Sequence, residues 1–357
     1  MTHETASRRR FLKAAGAIGM MAAAGRVGAQ NQNQNPYGGV TGPFRLRMWH
    51  EDYAGARLQE FAQKWNISAT NKGFEDPAEP FAQLQAGQYT GDLISFLHDW
   101  GQRAWRSDLL QPIDTTRLQY LDRLDDRWQT MNEVGQNRQW GIPYDVGLYP
   151  ITYNTEVFSN PPNSWSVLWD EEYRGRITMQ DSSIQACQNA ALYTGQNPIN
   201  PDDFQEIEEA LMQQKPLVQS YWGTFESGMR LFVDGEVDVG QITFGRTVQA
   251  IVDHGANVNY SVPREGAMTY FDEFTIPKNA NNVGTAYAWI DDYLQQGGPR
   301  FTELERYRAT TANLTETVPQ NQRELYDWSP DWNLVTQSLL DERVLQQYDQ
   351  IWTRVKG

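Results

Sequence analysis

Cysteine is almost absent: Cys187 is the only one in 357 residues. A lone thiol excludes an intramolecular disulfide and any multi-cysteine metal centre, and its default is that of a small buried hydrophobe. Histidine is nearly as scarce, with four residues, and only six of the thirty basic residues are lysine. The catalytic signatures that carry a mechanism are missing as well. There is no G-x-S-x-G elbow and no H-E-x-x-H pair, and the acids are too numerous to single out two spaced for glycoside hydrolysis. A secreted glycan-active hydrolase, which thirteen tryptophans could serve, therefore stands only as an alternative. No internal repeat occurs, and no run after the N-terminal segment is apolar and long enough to span a bilayer.

Negative charge is in excess, at a formal −15. The N-terminus opposes this trend. Residues 7–13 (SRRRFLK) set an arginine run before Phe-Leu-Lys, followed by an Ala/Gly/Met stretch to Gly25 and a small-residue site at Val27-Gly28-Ala29. Together they read as a twin-arginine export signal with cleavage expected after Ala29. The apolar stretch is too short to remain as a membrane anchor, and no cysteine at the site invites lipidation. A soluble periplasmic or extracellular protein is the expectation. Loss of residues 1–29 removes five basic residues and one acid, leaving a net charge of −19. Such a surface suits neither nucleic acid nor anionic lipid. With dispersed acids and few lysines it reads as solubility in salty surroundings, while steering of a cationic ligand stays open. Residues 30–42 (QNQNQNPYGGVTG) form a polar tether.

The remainder is long enough for two lobes, each with its own core. Phe44 to Met48 alternates as a strand, and Leu58, Phe61, Ala62 and Trp65 then recur at helical spacing, which puts Trp49, Glu51 and Asp52 on the turn between. A helix with Phe81 and Leu84 leads into a strand over residues 92–96, with His98, Asp99 and Trp100 at its carboxyl end. Ligands of open α/β sheets bind at such ends. Residues 144–154 form a strand interrupted by Pro150, a candidate crossover between lobes. Asp181, Ser182 and Ser183 offer N-caps for a helix carrying Ile184, Cys187 and Ala191. A strand over 237–242 precedes a helix carrying Val248, Ile251 and Val252. This alternation gives an α/β protein rich in parallel pairing.

Residues 258–281 (VNYSVPREGAMTYFDEFTIPKNAN) hold the most telling pattern. Tyr270, Asp272 and Phe274 share one face of a strand that Pro277 ends. An aromatic beside a carboxylate is a means of holding a cation. The segment, together with Met48-Trp49-His50-Glu51-Asp52-Tyr53, Gly141-Ile142-Pro143-Tyr144, the Trp-rich residues 164–169, Gly235-Glu236-Val237-Asp238-Val239-Gly240 and the C-terminal residues 351–357, resembles the periplasmic spermidine/putrescine-binding proteins. These are receptor subunits of polyamine ABC importers, and the resemblance runs from about Phe44 to the end.

The resemblance implies a type II periplasmic-binding-protein fold, with a ligand cleft between two lobes joined by extended hinge crossovers. The first lobe would comprise residues 43–148 and about 270–315, and the second 149–269 and about 316–357. It further implies a monomer without cofactor or catalysis, which captures a small amine or polyamine and docks on a membrane permease driven by a separate ATPase. Position by position, Trp49 matches an aromatic wall, Glu51 its acidic neighbour, Tyr270 a second aromatic and Asp272 an amine-clamping carboxylate. Each has a plainer reading, with Trp49 and Tyr270 as core and Glu51 as a solvated turn acid. Relatives place carboxylates where this chain has Ser182 and Gln185, an aromatic near Thr243, and in some an acid near Arg246. Either Arg246 points outward, or it receives an anionic ligand end while Asp272 and Glu51 hold an amine. Asp99 either replaces a lost carboxylate or is a solvated loop acid. A metal receptor of the same fold is a further alternative, through His50, Glu51 and Asp52.

Overall fold

The computed structural model describes residues 36–74, 76–312 and 314–357, with the Glu51 side chain outside the described part. The expected export signal, its cleavage point and tether residues 30–35 also lie outside the described residues.

Two sheets organise the chain. In the first, the strand order is Arg308–Ala309, Ile142–Tyr149, Ala267–Pro277, Leu93–Leu97, Phe44–Arg47 and Ala69–Asn71, and Leu110–Gln111 and Leu334–Thr336 also pair with Ala267–Pro277. In the second the order is Val218–Trp222, Ile177–Gln180, Val239–Gln241, Ile151–Asn154 and Val258–Ser261. Strands separated by helices pair in parallel, whereas the strands that pass between the sheets pair antiparallel with their neighbours, except that Ala267–Pro277 pairs in parallel with Leu334–Thr336.

The two passages between sheets are short. The first occurs at Pro150, between Tyr149 of one sheet and Ile151 of the other, where a residue without an N–H donor ends the ladder. The return runs through residues 262–266. There Gly266 adopts φ +106°, and a Cβ on it would lie 2.8 Å from Asn333, so glycine is needed both for conformation and for space. Strands 142–149 and 267–277 are buried along their whole length, as expected where a sheet is covered on both faces.

Helix Glu51–Trp65 buries Leu58 and Phe61 and ends where Asn66 turns left-handed at φ 51°. Glu51 and Asp52 therefore open this helix instead of occupying a turn, and His98, Asp99 and Trp100 open helix His98–Arg106. Ser182 caps helix Ser183–Tyr193, its Oγ accepting from the Gln185 amide at 3.4 Å. Cys187, on this helix, is fully buried. The first-sheet strand begins at Ala267, ahead of the expected return near residue 270. Leu334–Thr336, expected in the second lobe, pairs with that strand. Helix Glu342–Lys356 packs instead on helices Ser183–Tyr193 and Phe204–Gln214, sharing their apolar cluster. No helix among the described residues is long and apolar enough to cross a membrane.

Candidate ligand-binding site

Asp272 lies in the middle of strand 267–277, opposite Asp145 on one side and Leu97 on the other. Just past Asp272 the register against strand 142–149 shifts and skips Tyr144, an irregularity of the kind that re-aims side chains. Asp272 is 2% exposed and Asp145 0%. Neither Asp145 oxygen meets a hydrogen-bond donor among the described residues, and neither does Asp272 Oδ1. Burial, and then the Glu273 charge, push the Asp272 carboxyl well above the ordinary range. Burial and then Asp272 do the same to Asp145. These are buried acids awaiting a proton or a cation.

Aromatic groups enclose them. Tyr270 lies across Gly147 in the ladder, and a Cβ at residue 147 would stand 1.9 Å from its ring. Its hydroxyl is buried without a partner, and its ring lies 5.4 Å from Tyr149 and 6.4 Å from Tyr307, centroid to centroid. Phe274, the next residue on that face, stacks on Tyr144 at 4.1 Å and belongs to the core. Trp49 stacks on Phe74 at 5.4 Å. Its indole N–H favours the Asp272 anion while making no hydrogen bond within ordinary limits.

His50, at the N-cap of helix 51–65, turns inward. Its Nδ1 is 3.0 Å from the Tyr144 hydroxyl and its Nε2 3.5 Å from Asp145 Oδ2. Burial, aided by Arg246, lowers its pKa to about 3, so the ring is neutral. Asp52 is exposed, so it does not join His50 in a ligand set. One atom each from His50, Asp145 and Asp272 lie within 4.8 Å of one another, a cluster sized for a small cation. Beside it, Asp99 is pushed up by burial and repels Asp272. Glu273 is held by His98 at 2.6 Å.

The second sheet contributes Thr243 and Arg246. Thr243 is the N-cap of helix Phe244–His254; its buried hydroxyl lowers Tyr307 while making no hydrogen bond within ordinary limits among the described residues, and Tyr307 also feels Arg246, Asp145 and Asp272. Tyr307 packs over Gly245, where a Cβ would lie 2.4 Å from the ring. Arg246 faces inward. It lowers His50 and tempers Glu305, its Nη1 donates to Gln249, and its Nε is buried without a partner. No carboxylate among the described residues forms an ion pair with it.

Six of the expected residues, Trp49, Asp99, Thr243, Arg246, Tyr270 and Asp272, are thus linked directly or through Tyr307. Gln185 is buried with its Oε1 unpartnered but joins the cluster through no hydrogen bond; it lies on the helix that also carries the buried amides Gln188 and Asn189. The Glu51 side chain lies outside the described part. Sequence reasoning missed Asp145 and Tyr307, and offered His50 only as a metal ligand beside Glu51 and Asp52. The available signal for Asp145 was a charged residue inside an otherwise apolar strand, IPYDVGLY.

Residues 58–297 match the model for bacterial extracellular solute-binding protein. Spermidine/putrescine-binding periplasmic protein 1 of Haemophilus influenzae is 24% identical over 321 residues, spanning 87% of this chain and 88% of that one. Among solved structures, the spermidine/putrescine ABC transporter substrate-binding protein PotD of Streptococcus pneumoniae superposes with a TM-score of 0.79 at 20% identity, covering 89% of this chain and 99% of that one. The Atu4243 GABA receptor superposes at 0.70 and 19% identity, covering 88% and 97%.

Proposed function

This chain belongs to the bacterial extracellular solute-binding protein family, and we propose that it serves an ABC importer by capturing a small amine-bearing solute at Asp272, between Trp49 and Tyr270. The observation that carries this reading is a carboxylate buried among aromatics with an oxygen that no donor among the described residues reaches. Ammonium against an aromatic face contributes roughly 0.5 to 2 kcal/mol, and its charge-assisted bonds to carboxylate contribute more and set direction. A polyamine is the cargo that the relatives' names suggest.

Arg246 supports a second reading. An inward guanidinium without a carboxylate partner among the described residues prefers an anionic group in paired geometry, so one end of the ligand would be an amine and the other a carboxylate, as in GABA. Ligand would enter between the two sheets, the crossovers at Pro150 and residues 262–266 would flex, and the closed monomer would dock on a permease powered by a separate ATPase. Export by the twin-arginine route, cleavage after Ala29 and the absence of turnover complete the proposal.

A thermal-shift screen of residues 30–357 against diamines, polyamines, ω-amino acids and betaines tests both readings. Ligand at 100 times its dissociation constant adds about 2.7 kcal/mol of stability. If no amine raises the melting temperature, the main reading fails. For the second, Arg246→Ala should weaken 4-aminobutanoate and leave putrescine unchanged; equal losses for both, or none, would sink it.

A further inference from the structure

Asp145 and Asp272 face each other across two central strands, and no lysine or arginine among the described residues pairs with either. Two adjacent buried carboxylates do not both ionise without compensation. Their basic neighbour among the described residues, His50, is kept neutral. The pair therefore needs one positive charge, which in the empty receptor is a proton and in the loaded one a cation.

The size and chemistry of the cluster identify the cation. A primary ammonium carries three N–H donors in a tetrahedral fan. Acceptors at about 2.8 Å from its nitrogen stand up to about 4.6 Å apart, which matches a cluster whose three atoms lie within 4.8 Å of one another. His50 can supply the third acceptor. With its ring proton on Nδ1, donated to the Tyr144 hydroxyl, Nε2 presents a lone pair beside Asp145.

We propose that His50, Asp145 and Asp272 form a three-acceptor seat for a single primary ammonium, and that the arriving ammonium displaces a proton which Asp145 holds in the empty receptor. This rests on the amine-capture reading above. On binding, the Asp145 O–H bond breaks, the proton leaves to solvent, and two carboxylates then surround one ammonium. The seat carries one net negative charge before and after, so binding leaves its net charge unchanged.

The neighbouring groups permit this exchange. Tyr144, Tyr149, Tyr270 and Tyr307 are all pushed upward by burial and stay protonated. Glu273 is engaged by His98, and Asp99 repels Asp272 and so favours retention of a proton by the pair. On the opposite side Arg246 tempers Glu305, whose pKa burial raises to about 7. Glu305 can therefore also exchange protons near neutrality, which makes the Asp145 variant the necessary control.

Calorimetry at pH 7 in buffers of different ionisation enthalpy, with putrescine and 4-aminobutanoate and their N-trimethylated counterparts, tests the seat. We expect about one proton released per primary amine bound, and binding at least about 100-fold weaker for the trimethylated probes, which leave the acceptors unpaired. Asp145→Asn should bind the primary amine without that release. Infrared difference spectra of the unmodified protein add a measurement independent of variant folding: a protonated carboxyl band should vanish on amine addition. Amine binding without proton release, equal affinity for trimethylated probes, or unchanged release in Asp145→Asn overturns this inference alone. Failure of every amine to bind overturns the amine-capture reading with it, as does a melting temperature raised by Zn2+ and by no amine.

Discussion

Gly147 is where a missing side chain builds the site. Tyr270 occupies the space a Cβ would take, so Gly147→Ala forces the ring aside or spreads the strands. Overpacking of this kind costs about 1 to 3 kcal/mol. We expect Gly147→Ala to lower the melting temperature and to weaken amine binding further than the stability loss explains, because the displaced ring is one wall of the seat. A variant that melts lower but binds amine with unchanged affinity would show that Tyr270 only packs. The same logic separates Asp272 from Phe274: one face of one strand presents both, but Phe274 has Tyr144 to stack on, and Asp272 has an oxygen with no donor.

At the scale of elements, strand 267–277 is the axis of the molecule. It pairs with strands on both sides, carries the site on one face, and fastens helix His98–Arg106 through Glu273 on the other. The His98–Glu273 contact makes this junction sensitive to pH. His98 is pushed upward: burial alone would lower it, but the Glu273 charge and hydrogen bond outweigh that cost. Glu273 is also pushed upward, because burial outweighs the help of His98. Both shifts mean that the folded state holds protons more tightly than the unfolded chain, so stability falls as pH rises. For His98 the contribution is full below the ordinary value of 6.5 and is lost as pH climbs through the higher folded value. Thermal melts between about pH 6 and 9 should show this decline, and it should be smaller in His98→Gln. An identical pH slope in the variant would remove the junction from the account.

For the whole molecule, net charge decides more than any pair. Residues 30–357 carry a net charge of −19, so their folded surface repels itself at low ionic strength. Screening shortens from about 10 Å at 0.1 M salt to about 3 Å at 1 M, so the melting temperature should rise markedly over that range. A melting temperature indifferent to salt would refute the reading of this acidity as adaptation to salty surroundings. The passages at Pro150 and residues 262–266 join the two sheets, and the chain crosses once more between strand Leu334–Thr336 and helix Glu342–Lys356, which packs on the helices of the second sheet.

The sequence by itself determined the alternation of strands and helices, the Ser182 cap, the crossover at Pro150, and Asp272 with Tyr270 on one face, since each depends on residues near in the chain: periodicity, capping chemistry and a proline without its donor. It also carried the family, through the order of short blocks. Tertiary structure alone decided what surrounds Asp272. Asp145 comes from a strand more than a hundred residues away in sequence, and its place opposite Asp272 is set by the register of two strands that no local pattern announces. In sequence His50 stands as a solvated loop residue or a metal ligand beside Glu51 and Asp52; only the fold turns its ring onto Asp145. The inward direction of Arg246 was undecidable from sequence, because one arginine on a helix serves equally as a surface charge. Local interactions write the elements, but the site is a sum of burial and charge over segments that meet only in the fold.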